Sequence, residues 1–129
     1  MICHATSPDL LHWTQIPAHD FEPDLVYYEA SNWRDPAVFW NEEEGLYWML
    51  IAARSRSSYR RNGCVGLCVS TDLEKWTARP PLYAPDLYGS ALECADVFQI
   101  GDWRYLIHST YSDRFVDEHT RPAGAEHQG

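Results

Sequence analysis

An all-β fold built from repeating units is what this 129-residue sequence predicts, and two internal repeats and a series of short aromatic and β-branched runs carry the prediction. Ser7-Pro8-Asp9-Leu10-Leu11-His12-Trp13-Thr14 recurs as Ser70-Thr71-Asp72-Leu73-Glu74-Lys75-Trp76-Thr77, a shared S-x-D-L-x-x-W-T pattern 63 positions apart. A second pair is Asn32-Trp33-Arg34-Asp35-Pro36-Ala37-Val38-Phe39 and Leu92-Glu93-Cys94-Ala95-Asp96-Val97-Phe98, in which the Val-Phe pairs stand 59 positions apart. Internal periods of this size mark propellers, solenoids or arrays.

The strands follow in order. Ala37 to Trp40, Leu46 to Ala53, Cys64 to Ser70, Val97 to Ile100 and Arg104 to Ser109 are short runs rich in aromatic and β-branched residues. Asn41-Glu42-Glu43-Glu44-Gly45 and Gly101-Asp102 read as hairpin turns, and Asn62-Gly63 opens a further strand. A shorter strand is expected around Trp76 to Arg79, with Pro80-Pro81 and Pro85 stopping the pattern. Residues 33–83 thus hold four strands, which is one blade of a β-propeller. Residues 1–20 supply the end of a preceding blade and residues 93–112 the start of a following one. The expected architecture is a partial propeller over residues 1–112 followed by a polar tail, residues 113–129. A closed propeller needs about four to eight blades, so the sequence reads as an excerpt whose missing blades come from a longer parent chain or from self-association.

Composition narrows the function classes. The chain is 45% hydrophobic and 14% aromatic, which places it with globular domains. Its net charge of −9 argues against nucleic acid, which requires clustered positive charge. The one basic stretch, Arg54-Ser55-Arg56-Ser57-Ser58-Tyr59-Arg60-Arg61, reads as a solvated loop between strands. The acidic run Glu42 to Glu44 reads as a hairpin tip. Cys3, Cys64, Cys68 and Cys94 lack metal-ligand spacing and read as free buried thiols. The six histidines are scattered, and no phosphate loop, dinucleotide fingerprint or nucleophile elbow occurs. No metal and no cofactor is expected. Free thiols, no apolar stretch of about 18 residues and no signal-peptide pattern point to a cytoplasmic protein without membrane partners.

The chemistry is carried by the two carboxylates. If the Val-Phe pairs are equivalent, Glu93 occupies the repeat position of Arg34, one residue from that of Asp35. Neighbouring units then present both acids at one rim, within about 10 Å, as glycoside hydrolysis requires. An acid that protonates a leaving oxygen must keep its proton at the working pH, through burial or a nearby negative charge, and Glu93 lies between Leu92 and Cys94 with Asp96 close by. Asp35, between Arg34 and Pro36, suits hydroxyl binding, because an adjacent cation favours the ionised carboxylate. The plainer reading of these residues is a strand-end ion pair and a rim carboxylate. Trp33, beside them, is the ring expected to stack on a sugar.

Trp33-Arg34-Asp35-Pro36, Glu93-Cys94 and the Ser-x-Asp-Leu-x-x-Trp repeats, in this order, resemble glycoside hydrolase family 32, the invertase, levanase and inulinase group, over about Ile2 to Ser109. The resemblance implies a five-bladed propeller and a β-fructofuranosidase acting with retention on sucrose or a fructan. It assigns Glu93 as general acid/base and Asp35 as the transition-state stabiliser that holds sugar hydroxyls, with Arg34 and Trp33 as substrate-binding neighbours. The family's nucleophile stands in an Asn-Asp-Pro setting, which this sequence does not contain, and Ala95 follows Glu93-Cys94 where the family usually has Pro. The chain by itself is therefore expected to be inactive. Two other readings are a family 43-like arabinosidase or xylosidase propeller, against which Glu-Cys speaks, and a non-catalytic sugar-binding propeller fragment.

Overall fold

The computed structural model describes residues 1–56, 61–84, 89 and 91–110. Among the described residues eight strands run in chain order: β1 (Ala5–Thr6), β2 (Thr14–Gln15), β3 (Arg34–Asn41), β4 (Leu46–Arg54), β5 (Gly63–Ser70), β6 (Thr77–Tyr83), β7 (Glu93–Ile100) and β8 (Trp103–Ser109). They form a two-stranded sheet β1-β2, a four-stranded antiparallel sheet β3-β4-β5-β6 and a two-stranded sheet β7-β8. Among the described residues the helical structure is one 3-10 turn, Pro17–His19. The fold is all-β, with the half, whole and half units of a partial propeller. The expected tail, residues 113–129, the last residues assigned to the third unit, 111 and 112, and Pro85 lie outside the described residues.

The central sheet is covered on both faces, which explains the composition of its inner strands. Side chains alternate across a strand with period two. Met49, Ile51, Ala53, Cys64 and Cys68 therefore share one face, packed with Ile2, Tyr28 and Trp33 and bordered by Phe21 and Trp76. Leu50, Val65, Leu67 and Val69 share the other, packed with Leu92 and Ala95 and bordered by Val97 and Leu106 of the next hairpin. Every residue of β5 is buried, and a strand covered on both faces reads as a near-continuous apolar run. The hairpin β7-β8 buries only one of its faces. Phe98, Ile100, Trp103, Tyr105 and Ile107 stand exposed on the other.

Both sequence repeats are repeats of structure. In the first, Ser7 Oγ accepts from the amides of Asp9 and Leu10, and Asp9 Oδ1 accepts from those of Leu11 and His12. In the second, Ser70 Oγ accepts from Asp72 and Leu73, and Asp72 Oδ1 from Glu74 and Lys75. The pattern is thus a turn whose Ser and Asp side chains satisfy four amides that no strand partner reaches. The hydrogen bond from His12, followed by the amides of His12 and Leu11, holds the Asp9 carboxyl far below its ordinary value of 3.8. The amides of Lys75 and Glu74 lower Asp72 in the same way. A depressed carboxylate stabilises the fold above its unfolded value, and that contribution fades as pH falls below about 4.

Leu10 and Leu73 take the same place in these turns and the same left-handed backbone, at φ 64° and 65°. That region costs an L-residue roughly 1–2 kcal/mol relative to glycine, and Leu10 is largely exposed. Leu10→Gly should therefore leave stability unchanged or raise it by up to about 1 kcal/mol, after the extra entropy that glycine gives the unfolded chain. Leu10→Val should lower it, since a β-branched residue is less tolerant still. Thermal unfolding of the two variants checks the order.

The strand limits differ from the sequence expectation in two places, for identifiable reasons. β6 runs through Pro80 and Pro81 instead of stopping before them. It is an edge strand, where a missing N–H removes no ladder bond, and its pairing shifts between Val65↔Tyr83 and Leu67↔Arg79. At that shift the buried Tyr28 bridges the two strands. Its hydroxyl accepts from the Leu67 amide at 3.0 Å and donates to the Arg79 carbonyl at 2.6 Å. Gly66 leaves room for the ring, since a Cβ there would lie 3.3 Å from Tyr28 Cε1 and 3.2 Å from Ala53 Cβ. The other difference is that β3 and β7 begin at Arg34 and Glu93, three and four residues before the expected starts.

Two further readings are refined. Cys64 and Cys68 are buried on one face as the spacing implied, and burial pushes the Cys68 thiol up to about 12, but Cys3 and Cys94 are exposed. Part of the basic stretch belongs to the sheet end instead of to solvent. Arg54 closes β4 and pairs with Glu29, Ser55 bridges to Tyr28, and the buried Asn62 donates to Glu29 and to the Ser55 carbonyl. Residues 57–60 of that stretch lie outside the described residues. Glu43 and Glu44 stand at the expected hairpin tip, paired with Arg104 of β8 and Arg79 of β6.

Candidate active site

The first residues of β3 and β7 are built alike, and that likeness brings the two carboxylates together. Each strand begins with a bulge, where pairing shifts between Arg34 and Ala37 in one hairpin and between Glu93 and Asp96 in the other. In each bulge the second residue takes a left-handed backbone, Asp35 at φ 56° and Cys94 at φ 51°. Arg34 and Glu93 are therefore structural equivalents, as the 59-residue offset implied. A bulge adds a residue, breaks the period-two alternation and re-aims side chains at the rim of a sheet. The left-handed residues store strain of the kind found where a side chain must be aimed. Asp tolerates that region better than most residues. Cys94 has no such excuse, and its strain is a cost of the bulge.

Arg34 is the centre of the constellation. Its Nη2 donates to Glu93 Oε1 across the two sheets, and its Nε lies 3.8 Å from Asp35 Oδ2. Its Nη1 donates to the side-chain carbonyl of Asn32. Two carboxylates touching one guanidinium are separated by less than about 10 Å, inside the span of acids that share a glycosidic bond. Asp35 and Arg34 are half-buried, and Glu93 is the most enclosed of the three, with 17% of its side chain exposed. Glu93 Oε1 faces Arg34, while Oε2 makes no hydrogen bond among the described residues. The Ser109 hydroxyl donates to the Glu93 carbonyl at 3.2 Å, tying the bulge to β8.

Asp35, Glu93 and Arg34 are thus brought together as expected, and Trp33 is not. Its side chain points into the core at 5% exposure, edge-on to Phe21 with centroids 6.1 Å apart and tilted on Tyr28 at 5.0 Å. Successive side chains in an extended segment point to opposite sides, so placing Arg34 at the rim turns Trp33 inward. A core ring has no free face for a sugar. The Asp96 carboxylate accepts from the Val97 amide. Sequence reasoning passed over Asn32. The available signal was Asn two residues before the Arg-Asp pair, a residue type that tolerates a left-handed backbone, and Asn32 sits at φ 57°. A recess lined by Leu25, Tyr28, Glu29, Ala30 and Arg56 lies elsewhere and contains neither carboxylate. Among the described residues no group of three His, Cys, Asp or Glu side chains is arranged to hold a metal ion.

Comparison with known proteins gives the family. The profile of the glycosyl hydrolases family 32 N-terminal domain matches residues 19–120. The chain belongs to this family. It is also 31% identical, over 108 residues, to the sucrose-6-phosphate hydrolase of Escherichia coli. That alignment covers 83% of this chain and 21% of the relative, so the chain spans about a fifth of the curated protein it matches. The family 32 match covers β3 to β8 and both bulges, and it speaks against the arabinosidase and xylosidase reading.

Proposed function

We propose that this chain supplies the proton donor and the hydroxyl-binding aspartate of a β-fructofuranosidase, a retaining hydrolase of fructosyl linkages in sucrose, its 6-phosphate or a fructan. One observation carries the reading: Arg34 joins Asp35 and Glu93 across two adjacent sheets, at the rim where both strands bulge. Glu93 is the general acid/base. Its carboxyl gives a proton to the leaving sugar and later takes one from water. Asp35 holds the fructosyl hydroxyls and offers negative charge to the oxocarbenium-like transition state. Arg34 keeps the two acids in fixed relation. The nucleophile of the double displacement is assigned to an Asn-Asp-Pro segment, which residues 1–129 do not contain.

The arrangement of strands supports the same reading. The sheets β1-β2, β3-β4-β5-β6 and β7-β8 act as the end of one blade, a whole blade and the start of the next. The exposed apolar face of β7-β8 is the surface that a following sheet of such a ring would cover. Non-catalytic sugar binding is the alternative outcome, since two acids without a nucleophile stop at binding.

Release of fructose from sucrose, sucrose 6-phosphate and levan by the protein expressed from its full reading frame tests the proposal. Activity on one of these substrates that falls by roughly a hundredfold or more in Asp35→Ala is the expected result, the size seen when a positioned transition-state contact is lost. Sugar binding without turnover would replace it with the non-catalytic reading.

A further inference from the structure

We infer that Asn32 is a positioning residue for this site, fixing the Arg34 guanidinium so that it presents one edge to Glu93 and its Nε to Asp35. The inference rests on the β-fructofuranosidase reading for its consequence in catalysis, and on geometry for the contact itself. A guanidinium is planar and carries five N–H donors in a rigid fork. Two contacts to carboxylates leave its orientation free to swing about the side-chain torsions, because an ion pair at 3.8 Å, as between Arg34 Nε and Asp35, is only weakly directional. The third contact removes that freedom. Asn32 Oδ1 takes Nη1, the nitrogen turned to neither acid.

The backbone makes Asn32 suited to this task. It stands at φ 57°, a conformation Asn adopts far more readily than other non-glycine residues. It lies two residues before Arg34 in a chain whose alternation has sent Trp33 into the core between them. Asn32 and Arg34 therefore emerge on the same side, and the left-handed backbone brings the amide within reach of the guanidinium. Asn32 is half-buried, so the contact is partly shielded from water, which would otherwise substitute for it. An amide carbonyl is also a fitting acceptor. Its oxygen accepts from Nη1 and orients the cation, which a carboxylate oxygen at the same place also does.

Three substitutions separate the backbone from the side chain. Asn32→Gly keeps the left-handed conformation and removes the acceptor. Asn32→Ala removes both, and Asn32→Asp keeps both. In the protein expressed from its full reading frame, Asn32→Gly should retain the thermal midpoint yet lose about ten- to a hundredfold in kcat on sucrose or sucrose 6-phosphate, as a slightly misplaced site does. Its KM should change by less than about threefold, since the inferred role of Asn32 runs through Arg34 and not through a substrate contact of its own. Asn32→Ala should match that loss, and Asn32→Asp should recover most of it. Wild-type turnover in Asn32→Gly would overturn the inference and leave Asn32 a backbone device only. A kcat loss in Asn32→Gly that Asp fails to rescue would also overturn it. Should the unaltered protein turn over none of these substrates, the fructosidase reading fails instead. The contact is then decided by sugar binding. A fructose affinity that falls in Asn32→Gly and returns in Asn32→Asp upholds positioning, and equal affinities in all three overturn it.

Discussion

In the protein expressed from its full reading frame, the proposed role of Glu93 predicts that Glu93→Gln lowers kcat on sucrose by about 10²–10⁴-fold while sparing the first step on an activated aryl fructoside. Glutamine keeps the shape and the carbonyl oxygen that meets Arg34 Nη2, so the cross-sheet contact survives. What disappears is the transferable proton. A sugar leaving group departs as a strongly basic oxygen and depends on that proton, whereas a phenolate of low basicity does not, and general acid catalysis contributes a factor of this size. In a double displacement the same residue then acts as base toward water. The aryl substrate should therefore give a burst of one phenol per site followed by slow release of fructose. Stopped-flow absorbance shows the burst, and steady-state fructose release shows the slow phase. Equal and mild losses on both substrates would assign the proton transfer to another residue.

The fold was legible in the sequence where side chains alternate, and hidden where the backbone departs from alternation. Four strands of the central sheet and the hairpin β7-β8 follow from runs such as Leu46 to Ala53 and Cys64 to Ser70. The starts of β3 and β7 do not. Bulges at Asp35 and Cys94 add a residue out of phase, so Arg34-Asp35-Pro36 and Glu93-Cys94-Ala95 fall outside the runs that alternation marks. The end of β6 was lost for another reason. Pro80 and Pro81 forbid a central strand, and only the topology reveals that β6 lies at an edge. A side chain 51 residues away fills the broken ladder there, which no local pattern can announce.

The site shows the same division. Chain position and repeat offset placed Arg34 opposite Glu93, because a repeat maps sequence onto equivalent points of neighbouring sheets. Trp33 was misread because proximity in sequence was taken for proximity in space. One residue along an extended chain is the distance between the two sides of a sheet. The role of Asn32 depends on a left-handed backbone angle, which a residue type permits and does not dictate.

Tyr28→Phe is expected to destabilise the fold by about 1–3 kcal/mol although it removes a single oxygen. The Leu67 amide and the Arg79 carbonyl sit on either side of that hydroxyl, and the shifted register between β5 and β6 keeps them from bonding directly. Deleting it leaves a donor and an acceptor in the interior without partners, which costs more than an ordinary hydrogen bond contributes. Tyr28→Ala should cost about 3–5 kcal/mol, because the ring that packs on Trp33 and over Gly66 leaves a cavity as well. The pH dependence distinguishes the hydroxyl from the ring. Burial, opposed by the Leu67 amide, holds the Tyr28 hydroxyl well above its ordinary value of 10.0. A raised value in the folded state means that the contribution is complete below pH 10 and declines above it, as the unfolded chain ionises and the folded one does not, by up to about 1.4 kcal/mol per pH unit. The stability gap between the natural protein and Tyr28→Phe should thus be constant from about pH 6 to 9 and narrow beyond 10. The narrowing arises because phenylalanine has no proton to lose in either state. Chemical denaturation across that range measures both variants under one protocol. A gap that stays constant to pH 11 would mean that the hydroxyl ionises as easily in the folded protein as in the unfolded chain, and therefore that water, not the backbone of β5 and β6, is its partner.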